Sequence, residues 1–162
     1  NWSQYGSANN FGLSSTRAVS GSKSHKWTGA GIAGGIQTHD DNNISFTKGH
    51  YYFMSGHIYM TQVNATGAGF DYFFGIHDGG ALRGDTKSNV AANGWDYFSL
   101  LVYAITTTDS GKAVVHNSHN SNVINASYVD DLKLVEAKQL QDFSGKGNHA
   151  YIAGNITFGI KA

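Results

Sequence analysis

The sequence contains neither cysteine nor proline. Without cysteine, a disulfide framework, a zinc–thiolate site and thiol catalysis are all excluded. Without proline, turns must be made by glycine, asparagine and aspartate, and the chain has 21 glycines for this purpose. No apolar run approaches the ~20 residues that a membrane-spanning helix requires, so we expect no membrane insertion.

Charge is also scarce, because charged residues make up only 14% of the 162 residues and the formal net charge is zero. We therefore expect no nucleic-acid partner. A neutral surface rich in hydroxyl and amide groups instead suits neutral polar ligands, which it can bind through hydrogen bonds. The length fits one domain with its own core, and we expect a single domain over residues 1–162. Since the sequence begins at Asn1 without a methionine, we interpret it as a domain excised from a larger protein.

Apolar and polar side chains alternate with a period of two along several segments, as is typical of half-buried β-strands. In residues 50–62, four side chains share the predicted core face: Tyr52, Met54, Ile58 and Met60. Further candidate strands are 70–76, 95–105, 113–116 and 128–136, with weaker ones at 16–20, 30–37, 44–46 and 150–160. Only residues 135–143 have a helix-forming composition. The pattern predicts an all-β, antiparallel two-sheet β-sandwich with little or no helix.

Three segments carry a resemblance to a known family: KGHYYFMSGHIYM at 48–60, GWDYFSLLV at 94–102 and NASYVDDLKLVEA at 125–137. In order and spacing they resemble the Y-x-φ-S-x-x-φ, G-W-x-x-F and Y-φ-D-D-φ-x-L strands of jelly-roll carbohydrate-binding modules, where φ is apolar. The resemblance implies a jelly-roll sandwich, sugar binding by aromatic side chains and, frequently, a structural calcium ion. It places one calcium ligand at Asp130. The chain departs from the family because Glu136 is its only glutamate and no acidic residue precedes Asp40.

The low charge and the abundance of glycine, asparagine and serine are similar to those of modules in phage tail and baseplate proteins. That second resemblance implies host adhesion by a viral protein. The expected location is then extracellular or on a virion surface. The expected partners are a saccharide or polysaccharide and a parent protein or multimeric assembly.

Aromatic residues make up 13% of the chain, and their rings can stack on the apolar faces of sugars while polar neighbours bond the hydroxyls. A single aromatic is nevertheless more often a core residue than a ligand platform. The candidate ligand-binding residues are Trp27, Tyr51, His57, Tyr59, Asp71, Phe73, Trp95, Tyr97 and Tyr103. Trp27 and Trp95 are expected on loops, and Asn93 and Asp96 are additional candidates for bonding hydroxyls. His116 and His119 have an H-x-x-H spacing, but no third ligand is placed beside them.

We expect no catalytic residues, because a glycosidase needs two positioned acids and the chain is poor in them. Asp130 and Asp131 are adjacent, so in a regular strand they would point to opposite faces. The predicted function is a non-catalytic module that binds cell-wall or surface polysaccharide. The alternatives are a structural or assembly domain of a virion or surface appendage and, less favoured, a polysaccharide hydrolase.

Overall fold

The computed structural model describes residues 2–6, 8–29, 34–38, 42–61, 70–90, 92–117, 125–140 and 150–153. Within these ranges the chain forms twelve β-strands and no α-helix. The strands are β1 (Trp2–Tyr5), β2 (Ala8–Ser14), β3 (Ser24–Gly29), β4 (Gly35–Thr38), β5 (Ile44–Phe46), β6 (Tyr51–Met60), β7 (Phe70–His77), β8 (Leu82–Val90), β9 (Trp95–Tyr103), β10 (Thr108–Asn117), β11 (Asn125–Leu140) and β12 (Ala150–Ala153). The ranges above hold no helix long and apolar enough to cross a membrane.

The strands form two sheets. Sheet 1 has the order β1-β4-β10-β7-β8, and β5 also pairs with β10. Sheet 2 has the order β2-β3-β11-β6-β9, and β12 pairs with β11. Neighbouring strands in both sheets are antiparallel. The prediction of an all-β, antiparallel two-sheet sandwich is thus confirmed.

The core lies between the inward faces of the two sheets. All four β6 side chains predicted to face inward are buried, and so are the inward residues of the strands beside and opposite it: Tyr52, Met54, Ile58, Met60, Tyr72, Phe74, Ile76, Phe98 and Val102. Aromatic rings join the sheets across the core. Phe74 of sheet 1 lies 4.5 Å from Phe98 of sheet 2, measured between ring centroids. The Tyr72 hydroxyl is hydrogen-bonded to Ser127 Oγ at 2.6 Å, and burial raises the pKa of Tyr72 to about 12.

Two expectations about local structure are wrong. The helix expected from Val135 does not form, because β11 continues to Leu140 and pairs with β6 and β12; residues 141–143 lie outside the described ranges. Sheet pairing here outweighs the helix propensity of the segment. Residues 16–20 form bends and irregular backbone rather than a strand, because that stretch crosses above sheet 2 and is held by Asp130.

A β-bulge interrupts β11 between Asp130 and Lys133, where the pairing with β6 shifts in register. Asp131 sits at the bulge with a φ of 50°, an uncommon conformation for a residue with a side chain. The extra residue reverses which positions face outward. Tyr128 therefore pairs with outward Tyr59, whereas Leu134 pairs with inward Met54.

Candidate functional site

The outer face of sheet 2 carries a continuous set of aromatic side chains. In β6 the residues that alternate with the core positions point outward, and their pairing partners in β9 point outward beside them. The cross-strand pairs on this face are Tyr51 with Tyr103, Phe53 with Leu101, Ser55 with Ser99, His57 with Tyr97, and Tyr59 with Trp95. We call the outward residues Tyr51, Phe53, His57, Tyr59, Trp95, Tyr97, Tyr103 and Tyr128 the aromatic face.

The rings of the aromatic face touch one another across the strands. The centroids of Tyr51 and Tyr103 are 4.9 Å apart, and those of Tyr59 and Trp95 are 5.5 Å apart. Tyr97 and Tyr103 keep 51% and 43% of their surfaces exposed. From Tyr51 to Tyr59 the face extends roughly 26 Å at the usual rise of a strand. The exposed rings of the face are those of Tyr97 and Tyr103 in β9, whereas Tyr59 and Tyr128 at one end are buried.

His57 is the polar group at the centre of this platform. Its ring lies 5.2 Å from that of Tyr97. Its Nδ1 atom is buried and has no hydrogen-bond partner within the described structure. The small side chains of Ser55 and Ser99 lie beside it. The centre thus places half-buried His57 and the exposed hydroxyl of Ser99 between aromatic ends, which suits a ligand with both apolar faces and hydroxyl groups.

At one end of the aromatic face, two cations lie against the rings. The guanidinium carbon of Arg17 is 4.2 Å from the ring centroid of Tyr59 and 5.9 Å from that of Tyr128. The Lys26 ammonium lies 5.8 Å from the Tyr128 ring centroid. Tyr59 is only 6% exposed, and Arg17 lies over its ring. We call Arg17, Lys26, Tyr59 and Tyr128 the basic corner.

Six of the nine predicted ligand-binding residues come together on the aromatic face: Tyr51, His57, Tyr59, Trp95, Tyr97 and Tyr103. Trp95 lies in β9 rather than on a loop. Trp27 was placed wrongly, because it belongs to β3, points into the core and is 1% exposed. It packs edge-on against Tyr72 at 6.4 Å between centroids and has no surface left for a ligand.

Asp71 and Phe73 lie on the other side of the sandwich, on the outer face of sheet 1. They flank inward Tyr72 in β7, and β7 pairs with strands of sheet 1. The Phe73 ring stacks on His116 at 4.9 Å. These two residues therefore cannot bind the same ligand as the aromatic face. His119 lies outside the described residues.

Asn93 and Asp96, the two additional candidates for bonding sugar hydroxyls, already form hydrogen bonds within the protein near the basic corner. Asp96 accepts a hydrogen bond from Lys87 Nζ at 2.7 Å and alternates with the outward residues of β9. The Asn93 side-chain oxygen accepts a hydrogen bond from the Tyr59 hydroxyl at 3.5 Å, which is a long and weak contact. Lys87 also donates to the carbonyl of Tyr97 at 2.6 Å, so it links β8 of sheet 1 to β9 of sheet 2.

Three members of the site were missed. Phe53 shares the period-two face of Tyr51 and Tyr59, so the alternation alone could have added it. Tyr128 has the same sequence parity as the inward Leu134, and only the bulge separates them. Arg17 belongs to no strand, and no sequence pattern brings it to Tyr59.

The Asp130 carboxylate fixes the stretch that precedes β3. Its Oδ2 accepts hydrogen bonds from the backbone N–H of Val19 at 2.7 Å and of Ser20 at 3.2 Å, and its Oδ1 accepts one from Asp131 N–H at 2.9 Å. Asp131 also accepts a hydrogen bond from the Ser20 hydroxyl. The expectation that the two carboxylates point apart is therefore wrong, because the bulge lets both reach Ser20.

This arrangement does not fit a calcium ion at Asp130. Calcium takes six to eight oxygen ligands, whereas here three N–H groups point at the carboxylate. Within the described ranges no group of three or more histidine, aspartate or glutamate side chains is placed to hold a metal. A half-open cavity of about 310 Å³ beside Asp130 is lined by Trp2, Leu13, Lys23, Ser24, His25, Val129, Asp130, Asp131 and Leu132. It includes the cationic Lys23, which would also disfavour calcium. Calcium binding stays a prediction from the sequence.

The fold is similar to that of known carbohydrate-binding modules. A family 4 carbohydrate-binding module superposes with a TM-score of 0.60 at 11% identity, over 83% of this chain and 94% of that one. The C-terminal family 22 carbohydrate-binding module of a Clostridium thermocellum xylanase superposes with a TM-score of 0.58 at 19% identity, over 82% of this chain and 83% of that one. An arabinose-bound family 51 α-L-arabinofuranosidase superposes with a TM-score of 0.68 at 12% identity, over 83% of this chain.

This chain spans only 23% of the arabinofuranosidase, so the likeness concerns one part of that enzyme. No family model and no curated protein matches the sequence. At these identities the structural likeness establishes the fold. The chain thus has the β-sandwich fold of carbohydrate-binding modules, and its function must be argued from the aromatic face.

Proposed function

We propose that this chain is a non-catalytic module that binds a polysaccharide along its aromatic face. The observation that carries the proposal is the row of outward aromatic pairs across β6 and β9, which leaves Tyr97 and Tyr103 half exposed. A contiguous patch of exposed apolar side chains marks an interaction site, whereas single exposed ones are normal. A sugar ring offers an apolar face for each exposed ring and hydroxyls for half-buried His57 and exposed Ser99.

The expected affinity follows from the number of rings that a ligand can cover. Stacking of a planar ligand on an aromatic side chain contributes about 1–3 kcal/mol, and part of each exposed ring here is already covered by a neighbour. A few such contacts give modest affinity per module. Display of several modules in a larger protein or assembly would raise the overall affinity by linking the binding events.

The positions of the acids support a binding role rather than hydrolysis. A glycosidase needs two carboxyl groups that face each other across the scissile bond. On the described part of the aromatic face, Asp130 is engaged by three N–H donors. Glu136 bonds to His50 Nδ1 at 2.6 Å. Asp131, the acid next to Asp130, is engaged as well, by the Ser20 hydroxyl, so each of these three acids already has a hydrogen-bond partner.

Several finer expectations stay predictions. One of the similar solved structures is described as a xylan-binding domain from Paenibacillus barcinonensis, and xylan is therefore a sensible first ligand to test. Extracellular location, attachment to a phage tail or baseplate and host adhesion rest on the resemblance of the sequence alone.

The proposal is tested by affinity electrophoresis and calorimetry against xylan, β-glucan, galactan and bacterial wall polysaccharide. Tyr97→Ala is expected to weaken binding of the preferred polysaccharide about fivefold or more, since it removes an exposed ring worth about 1 kcal/mol or more. Phe73→Ala is the matched control, because it removes a ring from the opposite face of the sandwich. If Phe73→Ala lost binding while Tyr97→Ala kept it, the ligand would lie on sheet 1 and the proposal would be wrong. A wild-type protein that binds no polysaccharide would also refute it.

An assembly interface is the second candidate function. Leu101, Ile105 and Val135 are exposed by 41%, 43% and 37% beside the exposed tyrosines, and apolar residues with aromatics are enriched in the centres of protein interfaces. Sedimentation of the isolated chain separates the two functions. A stable oligomer that dissociates on Leu101→Asp favours assembly, whereas a monomer that binds polysaccharide favours the first proposal.

A further inference from the structure

The basic corner contains a hydrogen-bond donor with no acceptor. Arg17 Nε is buried and has no hydrogen-bond partner within the described structure. The Arg17 carbonyl accepts a hydrogen bond from Ser24 Oγ at 2.5 Å, so the backbone of this residue is fixed while its guanidinium stays unpaired at Nε. A buried donor without an acceptor is destabilising, and because the Nε atom has no exposed surface, a ligand oxygen would reach it only if the half-buried Arg17 side chain shifted.

The corner is also held in place by the rest of the fold. Asp130 binds the N–H groups of Val19 and Ser20, two and three residues after Arg17. The guanidinium carbon then lies 4.2 Å from the Tyr59 centroid. A planar guanidinium that lies against a ring keeps donors at its edges, in a geometry that matches the two oxygens of a carboxylate or phosphate.

Two cationic side chains lie against the rings of the basic corner. Arg17 and Lys26 bring two positive charges to Tyr59 and Tyr128. Two acids lie near the stretch that carries Arg17: three N–H groups already engage Asp130, and Asp131 accepts a hydrogen bond from the Ser20 hydroxyl. The chain as a whole has no net charge, so two cations beside one corner of an aromatic platform are a local feature.

We propose that the polysaccharide bound by this chain carries anionic groups, and that the basic corner holds one of them while neutral sugar rings stack along the rest of the aromatic face. This inference rests on the proposed function, because it specifies the ligand of the same face. The anionic group is the carboxylate of a uronic acid or the phosphodiester of a wall polymer, and the guanidinium recognises the oxygens that both share.

The test is affinity electrophoresis with matched polysaccharides. The gels contain glucuronoxylan or polygalacturonate, and each of these again after reduction of its carboxyl groups to primary alcohols. One further gel contains wall teichoic acid, whose anions are phosphodiesters. We expect wild-type protein to bind an anionic form about fivefold tighter than its reduced form, as a single charge-assisted contact at a partly exposed site would give. The preference should weaken as salt is added.

Three variants assign the effect to the corner. Arg17→Gln is expected to remove the preference, so that the anionic and reduced forms of the polysaccharide bind with equal affinity. Arg17→Lys keeps the charge without the planar fork and should retain only part of the preference. Lys48→Gln is the charge-matched control, because exposed Lys48 precedes β6 at the opposite end of the face. Circular dichroism and thermal unfolding establish that each variant is folded.

The outcomes separate this inference from the proposed function. Equal binding of anionic and reduced forms by wild type, or an unchanged preference in both Arg17 variants, overturns the inference and leaves polysaccharide binding standing. Binding only to teichoic acid that is lost in Arg17→Gln supports the inference with phosphate as the anion. No binding in any gel overturns both proposals.

Discussion

Asp78 is a buried carboxylate that joins the two sheets, and its replacement tests the account of the fold. It follows β7 of sheet 1, and its side chain has no exposed surface. Oδ1 accepts hydrogen bonds from the N–H groups of Gly80 and Ala81, both at 3.2 Å, and Oδ2 accepts one at 3.0 Å from Ile105, which follows β9 of sheet 2. Arg83 Nε lies 3.6 Å from Oδ2, near enough for ionic attraction but too far for a hydrogen bond.

These contacts determine the expected size of the effect. Burial alone would raise the pKa of Asp78, but the bonds from Ile105, Ala81 and Gly80 and the charge of Arg83 outweigh it and lower the pKa below 3.8. In Asp78→Asn the amide NH₂ would face an N–H donor or the guanidinium. We expect the free energy of unfolding at neutral pH to fall by about 2 kcal/mol, the scale for charge-assisted bonds replaced by a mismatched pair.

The stability difference between wild type and Asp78→Asn should also depend on pH. A carboxyl with a lowered folded-state pKa stabilises the fold above its unfolded-state pKa, and this contribution is lost as the pH falls through the folded-state pKa. The difference in unfolding free energy between wild type and Asp78→Asn should therefore be largest near neutral pH and shrink below the ordinary value of 3.8.

Urea unfolding of both proteins between about pH 7 and pH 2.5 measures this difference, and Asp109→Asn, at an exposed position of β10, is the control. A difference that stays constant over the whole range, or an Asp78→Asn protein as stable as wild type, would refute the reasoning.

Two further predictions concern packing and the basic corner. A Cβ at Gly111 would lie 2.2 Å from the buried ring of Phe46, whereas one at Gly12 meets nothing within 4 Å. Gly111→Ala should therefore lower the unfolding free energy by about 1–3 kcal/mol, and Gly12→Ala by less than about 0.5 kcal/mol. Urea titration measures both values, and equal effects would contradict the packing described. Asp130→Ala removes the acceptor for the Ser20 N–H. Amide hydrogen exchange at Ser20 should therefore accelerate, and the preference for anionic polysaccharide should decrease. Unchanged exchange would show that Asp130 does not hold residues 16–20 in place.

Period-two alternation predicted the strands that are regular and half-buried. In β6 the even-numbered residues face the core and the odd-numbered ones point outward, although outward Ser55 and Tyr59 are also buried. Both the core face and most of the aromatic face could therefore be derived from the sequence. The edge strand β8 was missed because Leu82–Val90 is mostly polar and shows no alternation. The predicted strand near residue 113 was too short, since β10 begins at Thr108 in a polar stretch.

The location of the other candidates depends on topology, which alternation does not encode. Phe73 and Tyr97 show the same local pattern, yet β7 pairs with β10 in sheet 1 and β9 pairs with β6 in sheet 2. Their rings therefore lie on opposite sides of the molecule. Trp27 has polar neighbours that are typical of a loop, but its pairing with Ser127 turns it into the core. Long-range pairing decides these positions, and one sequence does not specify it.

The bulge in β11 explains how one strand serves both the core and the site. Before it, Tyr128 points outward beside Tyr59; after it, Leu134 points inward beside Met54. Without the extra residue, one of these side chains would lie on the wrong face. The same bulge brings Asp130 to the stretch that carries Arg17. The residues after the bulge can therefore fill the core, while those before it contribute to the basic corner on the outer face. For this reason, substitutions of Arg17 or Lys26 should change ligand preference more than stability, whereas Tyr59 and Tyr128 are buried and also support the fold.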